Sequence, residues 1–166
     1  MVSIGTSIVV QLFSVLLFVN FAWSTNMAHQ NCLFCDISNG KTETILEMET
    51  DEFAIFKDIR PASRHHYLIV TKQHYDSLKV LNQSHEKMVL RMEEGLKSFL
   101  TSKGINTTDA LFGFHFPPFI SVKHLHMHGI APRSEMSFLS RWVFRPATAW
   151  FKTVEEAQAY LNKKAI

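Results

Sequence analysis

Hydrophobic positions along the 166 residues change their period repeatedly, and the period names the element that each stretch can form. Residues 1–26 have no amphipathic period: residues 8–23 read IVVQLFSVLLFVNFAW, and none of the first 26 residues is charged or a histidine. Further on, Leu33 to Ile37 runs into Asn39-Gly40, a short helical turn followed by its stop. Residues 44–49 and 52–57 have strand character, with Met48-Glu49-Thr50-Asp51 as the turn between them. Beyond Pro61, Tyr67-Leu68-Ile69-Val70 is β-branched and aromatic enough for a buried strand. Ser84 predicts a helix N-cap, and Met88, Met92, Leu96, Phe99 and Leu100 then form one apolar stripe that ends at Gly104. That spacing makes the methionines core residues. Strands are expected at 110–114 and 122–130, separated by Pro117-Pro118, which no central strand could contain. Thr153 and Glu156 have capping-box spacing for a last helix that ends near Lys163-Lys164, whose charges suit its C-terminal dipole. The expected architecture is α+β with a mainly antiparallel sheet.

Length and composition narrow the function. A chain of this size holds one ordinary core, and 46% hydrophobic against 19% charged residues excludes a disordered protein. The formal charge of +2 is too near neutral for a nucleic-acid footprint, and two cysteines cannot staple a secreted miniprotein. The uncharged segment 1–26 is a hydrophobic leader with three open readings: a cleaved signal, with Ala22-Trp23-Ser24 near the cleavage site, an uncleaved membrane anchor, or an alternative start ahead of Met27. Residues 27–166 are then the working domain. Asn82-Gln83-Ser84 and Asn106-Thr107-Thr108 are glycosylation sequons that matter only if the leader delivers the chain to the secretory pathway.

Chemistry concentrates in Ser121-Val-Lys-His124-Leu-His126-Met-His128-Gly-Ile130. On a strand, spacing of two turns all three histidines to one face and Leu125 and Met127 to the other. Imidazoles packed side by side repel when protonated, so the pattern favours neutral rings that attack, exchange protons or ligate a metal. His115, beside Pro117-Pro118, is a candidate to line the same site.

This segment resembles the signature of the histidine-triad (HIT) family, His-apolar-His-apolar-His, with Gly129 a variation at the first trailing position. Two other blocks carry the likeness: Phe56-Lys-Asp58-Ile59-Arg-Pro61 followed by His66-Tyr-Leu-Ile-Val and Lys72-Gln-His74, and Leu33-Phe34-Cys-Asp-Ile37. The likeness covers residues 31–132 and is strongest to the Hint branch. It implies a HIT-like fold and hydrolysis of adenosine 5'-phosphoramidates, with no cofactor required for catalysis. Gly113-Phe-His115-Phe-Pro-Pro-Phe119 departs from the Asn- and Gly-rich phosphate loop of the simplest Hint proteins and is closer to aprataxin, whose zinc-finger extension has no counterpart here; DNA repair is therefore not expected.

Carried over by position, the resemblance makes His126 the nucleophile that forms a nucleotidyl-histidine intermediate, and gives His128 the phosphate oxygens. It has His124 and His66 hold the ring network in its productive tautomer and Ser121 contact phosphate and assist the leaving amine. Asp58 would accept hydrogen bonds from both ribose hydroxyls, a task suited to a carboxylate. Leu33, Phe34, Ile37, Phe56, Ile59 and Leu68 would line the adenine pocket. Cys32-Leu-Phe-Cys35 is a zinc half-site that distant HIT relatives complete with two histidines, here His74 and His124. Its alternative is a pair of reduced thiols packed at a helix end. The resemblance also implies a homodimer and an adenine nucleotide as substrate. The supply of nucleotide phosphoramidates places the protein in the cytoplasm or nucleus, with secretion through residues 1–26 the alternative; the near-neutral charge gives no nucleic-acid partner, and membrane contact comes only through a retained leader. Two other functional classes stand beside the hydrolase: a zinc protein whose metal sits on His124, His126 and His128, and a non-catalytic nucleotide-binding adaptor.

Overall fold

The computed structural model describes residues 31–164, so the leader and the boundary at residues 26/27 lie outside the described residues. In chain order the elements are α1 (Leu33–Ser38), β1 (Met48–Glu49), β2 (Phe53–Lys57), β3 (His65–Thr71), α2 (Glu86–Ser102), β4 (Leu111–His115), β5 (His126–Ala131), α3 (Phe138–Val143), β6 (Phe151–Thr153) and α4 (Val154–Asn162). Among the described residues the six strands form one sheet in the order β1-β2-β3-β5-β4-β6, with every neighbouring pair antiparallel.

The sheet separates two layers of different purpose. Tyr67, Ile69, Phe112, Phe114 and Met127 pack with Val89, Met92, Leu96, Phe99 and Leu100 of α2 and with Val154, Ala157 and Leu161 of α4. Each large side chain buried in this way contributes about 1.5–3 kcal/mol, which anchors the sheet from behind. On the opposite face, Phe56, Leu68 and Val70 pack with Phe34 and Ile37 of α1. A third cluster joins Leu111 and Ile130 to Phe144 and Phe151. Gly129 fits the back layer closely: a Cβ there would meet Leu96 Cδ2 at 2.6 Å. The glycine that varies the family signature is what lets α2 approach β5.

Several boundaries differ from the sequence-based expectation for local reasons. Met48 and Glu49 belong to β1, and the turn to β2 shifts to Thr50, whose Oγ1 accepts from the amides of Glu52 and Phe53. Asn82, not Ser84, is the cap, because a 3-10 turn at Gln83–His85 precedes α2; the Asn82 side-chain Oδ1 accepts from the Ser84 amide. Val89 rather than Met88 begins the buried stripe. The Thr153–Glu156 capping box forms as expected. β5 starts four residues later than expected, because the His124 amide donates to the Val122 carbonyl and bends the chain out of strand geometry. No strand was expected at β6. It pairs with β4 through Gly113↔Thr153 and His115↔Phe151, and a side chain at Gly113 would collide with the Phe151 ring and the Lys152 carbonyl.

Candidate active site

The α1 face of the sheet carries a cavity of about 280 Å³. Leu33, Phe34 and Ile37 of α1, Phe56 of β2, Leu68 of β3 and Ile59 of the following loop form its apolar wall, and Asp58, Ser121, His126 and His128 form its polar end. Leu33 is 54% exposed and Ile59 91% exposed, so these two stand at the mouth. Thr44, Lys57, Arg60 and Val122 complete the lining. None of these four was singled out as a site residue: a threonine, a lysine or an arginine beside an apolar run reads as an ordinary solvated position, and Val122 reads as a strand residue.

The register of β3 against β5 explains how the histidines meet. Leu68 lies opposite His128 and Val70 opposite His126, so His66 sits diagonally across from His128 on the same face. The Ala62 amide donates to His66 Nδ1 at 3.1 Å, which leaves the His66 proton on Nε2. That nitrogen lies 2.9 Å from His128 Nδ1 and donates to it. His128 therefore carries its own proton on Nε2, a buried donor with no hydrogen-bond partner among the described residues. His126 Nδ1 lies 2.6 Å from the His124 carbonyl, an oxygen that can only accept, so Nδ1 is the protonated nitrogen and the Nε2 lone pair is free. The Phe34 and His126 rings pack perpendicular to one another, at 5.0 Å between centroids and 88° between planes.

Burial keeps these rings neutral. It pushes His126 below the ordinary histidine range, against the opposing pull of the His124 carbonyl, and His128 well below it. Burial likewise brings His66 down to about 4, even though the negative charge of Asp58 acts the other way. Asp58 divides its oxygens between two tasks. Oδ1 accepts from the Arg60 amide at 2.7 Å, and Oδ2 faces His66 Nε2 at 3.5 Å and His128 Nδ1 at 3.8 Å.

His124 belongs to a different group. It precedes β5 instead of alternating along it, and its Nε2 donates to the Thr71 carbonyl at 2.7 Å. Its Nδ1 lone pair then faces Cys32 Sγ at 3.3 Å and Cys35 Sγ at 3.4 Å. His74 repeats the arrangement: Nε2 donates to the Asp76 carboxylate at 3.0 Å and Nδ1 faces Cys35 Sγ at 3.2 Å. All four donor atoms lie within 4.8 Å of one another. A tetrahedral zinc with two thiolates and two imidazoles sets its donors about 3.3–3.8 Å apart, and a carboxylate on the outer imidazole nitrogen is its usual support. The residues fit that metal. Burial, with Cys32 alongside, pushes the Cys35 thiol up to about 12. The donors of His124, His126 and His128 do not form one cluster among the described residues, which corrects the reading of the triad itself as a metal site; His128 groups instead with Asp58 and His66.

The family model described as "Scavenger mRNA decapping enzyme C-term binding" matches residues 31–143. A histidine triad protein from Clostridium difficile superposes with a TM-score of 0.59 at 29% identity, covering 63% of this chain and 92% of that one. The chain belongs to the histidine-triad family. It is 43% identical to the adenosine 5'-monophosphoramidase HINT3 of Xenopus tropicalis over 76% of this chain and 84% of that protein, and 43% identical to the Mus musculus protein of the same name over 80% and 82%. A plant relative, the bifunctional adenosine 5'-phosphosulfate phosphorylase/adenylylsulfatase HINT4 of Arabidopsis thaliana, is 38% identical over 69% of this chain and 76% of its own length. The matched segment 31–143 holds every residue of the cavity and of the cysteine cluster, whereas β6 and α4 lie beyond it. No helix among the described residues is long and apolar enough to cross a membrane.

Proposed function

We propose that this histidine-triad protein is a nucleotide hydrolase that cleaves the P–N bond of adenosine 5'-phosphoramidates through a covalent AMP–His126 intermediate. The observation that carries the reading is the pair of complementary nitrogens at the polar end of one cavity: a free lone pair on His126 and an unpartnered N–H on His128. The first is a nucleophile and the second a donor for a phosphate oxygen as charge develops there. The names of the animal relatives support the substrate class. The adenine ring enters between Phe34, Ile37, Phe56 and Leu68, with Leu33 and Ile59 at its edge, and Asp58 accepts from the ribose hydroxyls.

His126 Nε2 attacks the α-phosphorus, a new P–N bond forms, and the bond to the amine breaks with its electron pair leaving on nitrogen. The departing amine takes up one proton from water, relayed through the Ser121 hydroxyl at the cavity wall. Water then attacks the nucleotidyl-histidine, AMP leaves, and the proton lost by that water restores the balance. His66 acts by fixing the tautomer of His128. His124 acts on the nucleophile through its carbonyl, while its ring belongs to the cysteine cluster. Rapid quench of the protein with an AMP amide, followed by release of AMP and amine in equal amounts, tests the reaction.

Cys32, Cys35, His74 and His124 hold one structural zinc in this reading. The metal ties α1 to the segment that leads into β5, and the hydrolysis takes no step through it. Residence in the cytoplasm or nucleus follows from where activated adenylates are made, and a homodimer follows from the Hint resemblance. Light scattering reads the oligomeric state, and a glycosidase gel shift at Asn82 and Asn106 reads the compartment, with no shift expected.

A further inference from the structure

A second cavity, of about 270 Å³, opens beside the first and is lined by His115, Phe119, Trp142, Val143 and Trp150. Its walls are preset. The Trp150 indole N–H donates to the Val143 carbonyl at 3.1 Å, and the Trp142 and Trp150 rings lie 5.1 Å apart at 35°. His115 Nδ1 is taken by the Trp150 carbonyl at 3.3 Å. Among the described residues no charged side chain lines this cavity, although Phe119 and Trp142 are each more than half exposed.

Two features join this cavity to the polar end of the first. The His115 ring stands 5.0 Å from the His128 ring, nearly perpendicular to it, and so has one neighbour in each cavity. The loop after β4 puts Phe119 in the second cavity and Ser121, two residues later, in the first. A phosphorus bound near His126 and His128, with its nucleoside in the first cavity, therefore has the second as the adjoining space for its other substituent.

We propose that the aromatic cavity receives the leaving amine and selects an uncharged aryl group on it. The inference rests on the phosphoramidase reading above and adds the class of amine. Two indoles and a phenyl ring offer faces and edges to a planar ring, and the lining holds neither a carboxylate for an ammonium nor a lysine or arginine for a carboxylate. In the transfer step the P–N bond breaks with its electrons on the amine nitrogen, which takes one proton as before. The aryl substituent stays against Trp142 until the amine departs.

Four AMP amides separate the outcomes: unsubstituted, 2-phenylethyl, n-hexyl and one linked through the ε-nitrogen of lysine. In the parent protein kcat/KM for the phenylethyl amide exceeds that for the hexyl amide by about three- to tenfold. Trp142→Ala and Phe119→Ala bring the ratio to within about twofold while hydrolysis of the unsubstituted amide stays unchanged, and Trp142→Phe keeps the preference. Because the two amines differ equally in basicity for every variant, only the change in ratio reports the cavity. A ratio that survives Trp142→Ala and Phe119→Ala with normal turnover of the unsubstituted amide would overturn the inference and leave the phosphoramidase reading intact. A parent preference for the lysyl amide would do the same. Failure of the parent to hydrolyse any of the four would overturn both.

Discussion

His66 Nε2 lies 2.9 Å from His128 Nδ1, and because the Ala62 amide already donates to the other nitrogen of His66, the proton between the rings belongs to His66. One backbone amide thereby fixes two tautomers and leaves the His128 N–H facing the cavity. The arrangement needs both rings neutral, and burial maintains that state.

The neutral His66 has a measurable consequence for stability. In the folded chain it titrates at about 4, whereas an unfolded histidine takes up its proton near its ordinary value of 6.5. As pH falls through the interval between them, the unfolded state binds more protons, so the stability present above pH 6.5 is lost down to about pH 4. The loss expected from His66 alone between pH 7 and pH 5 is about 2 kcal/mol. Denaturant unfolding at the two pH values should show it, and His66→Gln should show correspondingly less. An identical pH dependence in parent and variant would mean that His66 is not held neutral.

Asp58 combines a turn with a ligand contact, so two variants divide its roles. Asp58→Asn keeps an acceptor for the Arg60 amide and removes the charge, while Asp58→Ala removes both. Each should weaken AMP by about 1–3 kcal/mol, and by less for an adenine nucleotide lacking both ribose hydroxyls. Titration calorimetry with the two ligands reads the difference. Equal loss for both would make Asp58 a turn residue only.

Most strand and helix periods, the capping box at Thr153, and the apolar wall of the cavity with Asp58, Ser121, His126 and His128 were legible in the sequence, because each depends on spacing along one element or on a short block resembling a known family; Thr44, Lys57, Arg60, Val122 and the strand β6 were not. The division of the triad was legible only through the family resemblance, which offered His74 and His124 as partners of Cys32 and Cys35. Nothing in alternating histidines says that the chain bends at Val122 and hands the His124 ring to Cys32 and Cys35 while its carbonyl stays with His126. The aromatic cavity was also hidden, since Phe119, Trp142 and Trp150 come from three segments that meet only when β6 closes onto β4. Trp150 precedes a three-residue strand too short for a period to reveal.

Elemental analysis of the purified protein should find about one zinc per chain. Cys35→Ser or His74→Ala should lose it, and the parent should keep its turnover in a chelator too weak to strip the site. Parent protein prepared in zinc-replete medium and lacking the metal would reduce the cluster to packed thiols and imidazoles.

Gly129→Ala should destabilise the fold by about 1–3 kcal/mol, because the added methyl group meets fully buried Leu96 and α2 must shift away from β5 to admit it. A thermal melt checks this, and an unchanged midpoint would show that α2 yields more readily than its packing implies.

In the proposed reaction His126 becomes covalently bound to AMP. Intact-mass spectrometry after rapid acid-free quench with an AMP amide tests it most directly. The parent should gain the mass of one adenylyl group, peptide mapping should put that group on His126, and His126→Ala should gain nothing while still binding AMP. An adduct on another residue, or turnover in His126→Ala above a tenth of the parent rate, would contradict the account.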